Sequence, residues 1–160
     1  MSSVVTPDWN EARARDVIAP FADIDGGLLP ALNALQAEFG YIPKAAVALI
    51  AQEFNISKAD VFGTVTFYHD YRFDKRPGRH VLKLCRAEAC QALGAVKVAD
   101  AAKKKLNLDW HQTGADGEWT LEPVFCLGLC ASGPAAMLDG QVIGGLDDAG
   151  IAGIIEKGEA

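Results

Sequence analysis

Through residue 76 the apolar positions recur every three or four residues, and beyond Gly78 they begin to alternate with polar ones. Leu28, Leu29, Leu32, Leu35 and Phe39 outline one face of a helix that tolerates Pro30 in its first turn and can end at Gly40. Pro43 opens a second helical stretch, carrying Val47, Ile50 and Phe54, that ends near Asn55. Ser57-Lys58-Ala59-Asp60 is close to a capping box, with Asp in place of the usual Glu, and predicts a helix to about Tyr68. A weaker helical stretch runs from Trp9 to Ile18. The turn-rich run Asp74-Lys75-Arg76-Pro77-Gly78-Arg79 then divides the chain into a helical region over residues 1–76 and a second domain over 77–160.

In the second domain His80-Val81-Leu82-Lys83-Leu84 predicts a strand. Gly94 to Leu106 predicts a helix with Val98, Ala102 and Leu106 on one face and Lys103 to Lys105 near its end, where cations suit the helix dipole. Trp119 to Val124 reads as another strand, and Asp139-Gly140 between Ala135–Leu138 and Gln141–Ile143 is a two-residue hairpin signal. Asp147-Asp148 caps a last helix to about Lys157. The fold class expected is α/β (α+β): an N-terminal helical bundle, then a small domain of helices on a short mixed sheet.

Half of the residues are apolar, enough for a packed core, and the formal charge of −6 argues against general binding to nucleic acid or anionic lipid. Residues 1–79 hold eight Lys/Arg against ten Asp/Glu, so the helices do not form a basic DNA-reading element. Pro123 to Leu138 is the longest stretch free of Asp, Glu, Lys and Arg, and it is too short to span a bilayer. With no secretory signal expected, a cytoplasmic location follows, where grouped cysteines mean metal or redox chemistry more often than disulfides.

The four cysteines fall in two tight pairs, Cys85-x4-Cys90 and Cys126-x3-Cys130, with residues 91–125 between them. Four thiolates are what an all-cysteine [2Fe–2S] cluster requires, and each pair sits where a strand is expected to run into a loop. Gly128 and Gly133 would let the backbone come close to the second pair and adopt positive φ. A structural zinc site is the alternative, although zinc fingers and ribbons favour two-residue gaps that neither pair has. A Rieske centre needs two histidines beside two cysteines, and His69, His80 and His111 stand in no such arrangement. These histidines are expected at the surface or behind the ligands. Trp110, Trp119 and Phe125 are expected in the core, and Gly26-Gly27 and Gly144-Gly145 serve as turn signals. Arg86 and Glu88, inside the first pair, are either solvated loop residues or, for Arg86, a charge that offsets a four-thiolate cluster.

The cysteine spacing, the segments Gly40-Tyr41-Ile42-Pro43 and Phe62-Gly63-Thr64-Val65-Thr66-Phe67-Tyr68, and the run from Cys126 to Pro134 together resemble the thioredoxin-like [2Fe–2S] ferredoxin subunits. These accompany flavin-containing NADH-oxidising modules in respiratory complex I, NAD-reducing hydrogenases and NAD-dependent formate dehydrogenases. The resemblance covers about Leu28 to Ile155 and implies a thioredoxin-like fold for the second domain. It also implies Cys85, Cys90, Cys126 and Cys130 as the ligands of one [2Fe–2S] cluster. The loop Cys85-Arg86-Ala87-Glu88-Ala89-Cys90-Gln91 is most similar to the gamma subunit of soluble NAD-dependent formate dehydrogenases.

What the resemblance implies is one-electron transfer beside an FMN- and NAD-binding flavoprotein subunit, with an iron–sulfur molybdenum catalytic subunit elsewhere in the complex. The equivalent subunit of complex I or of an NAD-reducing hydrogenase is the alternative within the class. The N-terminal helices would dock, and the chain alone would catalyse nothing. From other classes, a zinc-stabilised interaction module and a free-standing redox sensor compete with this reading.

Overall fold

The structure is a computed structural model and describes residues 7–158. The chain divides into two compact units that meet in sequence between Arg76 and Pro77.

The first unit is helical. Helix α1, Glu11–Ile18, starts two residues later than Trp9 because Asn10 caps it, its side-chain oxygen accepting the Arg13 N–H at 2.9 Å. Helix α2 is Leu28–Phe39, and Gly40 ends it at φ 78°, a left-handed conformation that suits glycine. Helix α3, Lys44–Glu53, follows Pro43. Helix α4, Lys58–Phe67, opens with the expected capping box: Ser57 Oγ accepts the Asp60 N–H at 3.1 Å and Asp60 Oδ2 accepts the Ser57 N–H at 3.2 Å. The shorter Asp therefore closes the box that Glu usually closes. The core is built from Ile18, Leu32, Leu35, Phe39, Ile42, Ile50, Val61 and Val65, with Trp9 tilted onto Phe39 at 5.1 Å. A bridge between Ile42 and Phe73 ties the end of the unit back to its middle.

The second unit opens with strand β1, His80–Cys85, followed by helix α5, Glu88–Ala92, and helix α6, Ala95–Leu106. Strands β2, Gln112–Thr113, and β3, Trp119–Val124, come next. Strands β4, Ala136–Leu138, and β5, Gln141–Ile143, precede helix α7, Asp148–Gly158. The sheet order is β2-β3-β1-β4-β5. Only the β1–β3 pair is parallel, in register from His80 opposite Trp119 to Cys85 opposite Val124. Leu82, Leu121, Leu138, Val98, Ala102, Ile151 and Ile155 fill the core between sheet and helices. Among the described residues no helix is long and apolar enough to cross a membrane.

The β4–β5 turn does more than reverse the chain. Asp139 and Gly140 both take positive φ, 49° and 84°, as a primed two-residue turn demands. Asp139 also reaches back to the start of β1, where Oδ1 accepts the Val81 N–H at 2.8 Å and Oδ2 meets His80 Nδ1 at 2.7 Å. His80 is buried here, with its ring 5.0 Å from that of Trp119, which corrects the surface or ligand-backing place expected for it. His69 and His111 are exposed.

Two substitutions test these local devices. Ser57→Ala should lower stability by about 1 kcal/mol in chemical denaturation, through loss of the cap on α4. Asp139→Ala removes the carboxylate that meets a buried histidine and a strand N–H, and should cost roughly 2–3 kcal/mol by the same measurement.

Candidate metal centre

Parallel pairing carries the ends of β1 and β3 to one edge of the sheet, and both cysteine pairs begin there. Cys85 is the last residue of β1. Its own N–H donates to the Ala135 carbonyl at 2.9 Å, and the next N–H, of Arg86, donates to the Val124 carbonyl at 2.7 Å. Cys90 lies on α5, a one-turn helix that follows Ala87 and leaves Gly94 at φ 97° as the start of α6. Cys126 stands two residues past β3 at φ 83°, and Gly128 follows at φ 79°. Cys130 begins a 3-10 turn, Cys130–Ser132.

These elements bring all four sequence-predicted cysteines to one edge of the sheet, in two pairs. The sulfurs of Cys126 and Cys130 are 3.6 Å apart. Two thiolates on one tetrahedral metal ion, each about 2.3 Å from it, stand about 3.8 Å apart, so this pair is spaced to share an ion. Cys85 and Cys90 are close enough that each shifts the other's thiol. Among the described residues no three Cys, His, Asp or Glu side chains close on a single ion.

The pairs differ in burial. Cys85 and Cys90 are each 2% exposed and pack with Ala95, Ala135, Leu127 and Leu129, whereas Cys126 and Cys130 face solvent. Burial pushes the Cys85 thiol up, but the Ala87 N–H, the Cys90 thiol and the N–H groups of Cys126 and Leu127 together hold it below the usual range. Burial and the neighbouring Cys85 push Cys90 up, against the Ala135 N–H that stabilises its thiolate. Cys130 is pushed up by the hydrogen bond and charge of Cys126. The Gly128 N–H adds a donor to Cys126 Sγ at 3.4 Å. Backbone donors aimed at thiolates favour a negatively charged metal–sulfur group, and the donor set fits a [2Fe–2S] cluster.

Two expectations are corrected and one is refined. Phe125 is not in the core: it is 73% exposed, immediately before Cys126. Gly144 is more than a turn signal, since a Cβ there would stand 2.7 Å from the Ser132 carbonyl oxygen, and Gly145 N–H donates to that same oxygen at 2.5 Å. This loop braces the turn that carries Cys130. Gly133 is refined in role: it stands at φ −71° rather than the positive φ expected, and it is needed instead for close approach, since its missing Cβ would lie 3.2 Å from Cys90 Sγ and 3.0 Å from a Leu93 methyl. Arg86 stacks over Trp110 at 5.1 Å, and Lys103 approaches the same half-buried ring at 4.4 Å. Helix α5 has no counterpart among the expected elements, being a single turn hidden inside the first cysteine loop.

Comparison with known proteins points the same way. Residues 14–159 match the family described as thioredoxin-like [2Fe–2S] ferredoxin. An NADH-quinone oxidoreductase subunit of Pseudomonas aeruginosa is 34% identical over 136 residues, covering 85% of this chain and 81% of its own. The NADP-reducing hydrogenase subunit HndA of Solidesulfovibrio fructosivorans is 31% identical over 120 residues, covering 75% of this chain and 70% of its own. A crystal structure of an NAD+-reducing [NiFe]-hydrogenase in the H2-reduced state shares the fold, with a TM-score of 0.73 at 24% identity over 83% of this chain and 22% of that one. With a match over nearly its whole length and relatives above 30% identity across most of both chains, this protein belongs to the thioredoxin-like [2Fe–2S] ferredoxin family, whose cofactor is a [2Fe–2S] cluster.

Proposed function

We propose that Cys85, Cys90, Cys126 and Cys130 hold one [2Fe–2S] cluster and that the chain is the electron-transfer subunit beside a flavoprotein in an NADH-oxidising module. The observation that carries this is the convergence of two cysteine pairs at the carboxyl ends of the parallel strands β1 and β3. Bound there, the cluster would supply one-electron chemistry. The chain's own part is to hold and to tune. The N–H groups of Ala87, Cys126 and Leu127 stabilise charge at Cys85, which favours the reduced, more negative state and raises the potential. Leu127, Leu129 and Ala135 keep water from the inner pair.

The relatives named as subunits of an NADH-quinone oxidoreductase and of an NADP-reducing hydrogenase support a complex I or hydrogenase type of parent. A cytoplasmic NAD-dependent formate dehydrogenase, with its molybdenum subunit, is the second reading, and the residues of loop 85–91 favour it. Co-purifying subunits separate these parents: a membrane arm, a nickel–iron pair or a molybdopterin protein. Helix α4 supports docking through the helical unit. Phe67 is 72% exposed, and Phe62 and Tyr68 are exposed with it. A helix apolar on both faces is ordinarily covered.

Anaerobically purified protein should contain two irons and two acid-labile sulfides, be EPR-silent when oxidised, and be paramagnetic after dithionite. One zinc and no sulfide would make the chain a structural module instead. Cys126→Ser should lose or shift the EPR signal, and an unaltered spectrum would remove Cys126 from the ligand set. Gly133→Ala should crowd Cys90 and lower iron occupancy or shift the visible circular dichroism of the cluster, with iron analysis as the check.

A further inference from the structure

Between Cys85 and Cys90, and between Cys126 and Cys130, the only charged residues are Arg86 and Glu88. The structure treats the two differently. Glu88 is exposed, whereas Arg86 is half-buried and lies over the half-buried ring of Trp110, its guanidinium carbon 5.1 Å from the ring centroid. Lys103 approaches the same ring at 4.4 Å, but its Nζ also meets Asp109 Oδ1 at 2.5 Å, so its charge is answered there. Among the described residues no carboxylate pairs with Arg86, not even Glu88 two residues on. The backbone of Arg86 is fixed at both ends: its N–H donates to the Val124 carbonyl at 2.7 Å, and its carbonyl accepts the Gln91 side-chain N–H at 2.6 Å. Trp110 is tied to the same strand, since the N–H of the next residue, His111, donates to the Leu121 carbonyl at 2.8 Å. Ring and guanidinium are thus both anchored to β3 as it runs to the end where the cysteine loops begin.

We infer that Arg86, clamped on Trp110, sets the reduction potential of the centre, with Trp110 as the positioning residue that acts through it. The inference rests on the function proposed above and deepens it. One-electron reduction adds one negative charge to a group already held by four thiolates, so a fixed cation at that end of the sheet favours the reduced state and raises the potential. The place of the charge matters as much as its sign. An arginine free on a surface loop spreads over many rotamers and is screened by water and salt. Stacked on an indole, the planar guanidinium keeps one position and loses few of its hydrogen bonds. Glu88, although inside the same loop, stands in solvent and has no such clamp, so the two loop charges do not cancel. The pairing of Lys103 with Asp109 leaves Arg86 as the uncompensated cation on the ring.

The test is an EPR-monitored redox titration of the full chain, purified anaerobically, as wild type, Arg86→Gln, Trp110→Leu, Trp110→Phe and Glu88→Gln, with iron content and visible spectra checked first. Arg86→Gln should lower the one-electron reduction equilibrium about tenfold, a downward shift of about 59 mV. Trp110→Leu leaves every charge in place and should still move the potential down, because the guanidinium is released to solvent. Trp110→Phe, which keeps a ring, should restore most of the wild-type value. Glu88→Gln should move the potential upward and by less than Arg86→Gln moves it downward. Arg86→Gln carries the test should Trp110→Leu fail to load iron. A wild-type potential in Arg86→Gln with normal iron content overturns the inference and leaves the electron-transfer function standing. A fall in Arg86→Gln without one in an iron-loaded Trp110→Leu overturns the clamp. Wild-type protein that holds no iron and no sulfide overturns that function and the inference with it.

Discussion

The parallel hydrogen bonding of β1 against β3 is the constraint on which the site depends. Because the strands run the same way and keep register from His80–Trp119 to Cys85–Val124, their carboxyl ends leave the sheet side by side. An antiparallel pairing would send the two cysteine loops to opposite edges. Parallel strands need a crossover between them, and α6 provides it, its buried face of Val98, Ala99 and Ala102 covering the sheet. The hydrophobic core of the second unit therefore has a positional output: it fixes where four sulfurs emerge. Ligands of open α/β sheets sit beyond the carboxyl ends of strands for the same reason.

Around that constraint the backbone is tightly shaped. Cys126 and Gly128 adopt positive φ within three residues, which turns the second loop back toward the first. The Arg86 N–H closes on the Val124 carbonyl at the end of β3, so the first loop is held partly by the strand that leads into the second. Glycines 133 and 144 mark places where backbone meets sulfur or carbonyl with no room for a side chain. Such close approaches serve to position ligands, and they fix the loops without using any residue that a metal would bind.

Much of this was legible in the sequence, and the reasons differ by element. Helices α2 and α4 carried strong local signals, a periodic Leu/Phe face ended by Gly40 and a capping motif at Ser57, so their bounds could be placed within a residue or two. β3 was readable from its run of Trp119 to Val124. The Asp139-Gly140 turn was equally plain, because few dipeptides accept two positive φ values. The four cysteines declared themselves by number and grouping. What stayed hidden depends on tertiary placement. His80 gives no sequence sign of being buried against Trp119, because its partner Asp139 lies 59 residues away in a turn. Phe125 looks like core by composition, yet its neighbour Cys126 turns the chain with the ring outside. The two-residue strand β2 and the single turn α5 are too short to carry a period at all.

The unequal burial of the two cysteine pairs sets an order of events. A metal ion, a sulfide or an oxidant arriving from solvent meets Cys126 and Cys130 before it can reach Cys85 and Cys90. The inner pair is enclosed by Ala95, Ala135, Leu127 and Leu129, and the two leucines belong to the outer loop. For a centre held by these four cysteines, building and damage would therefore begin from the same side, at the loop from Cys126 to Cys130.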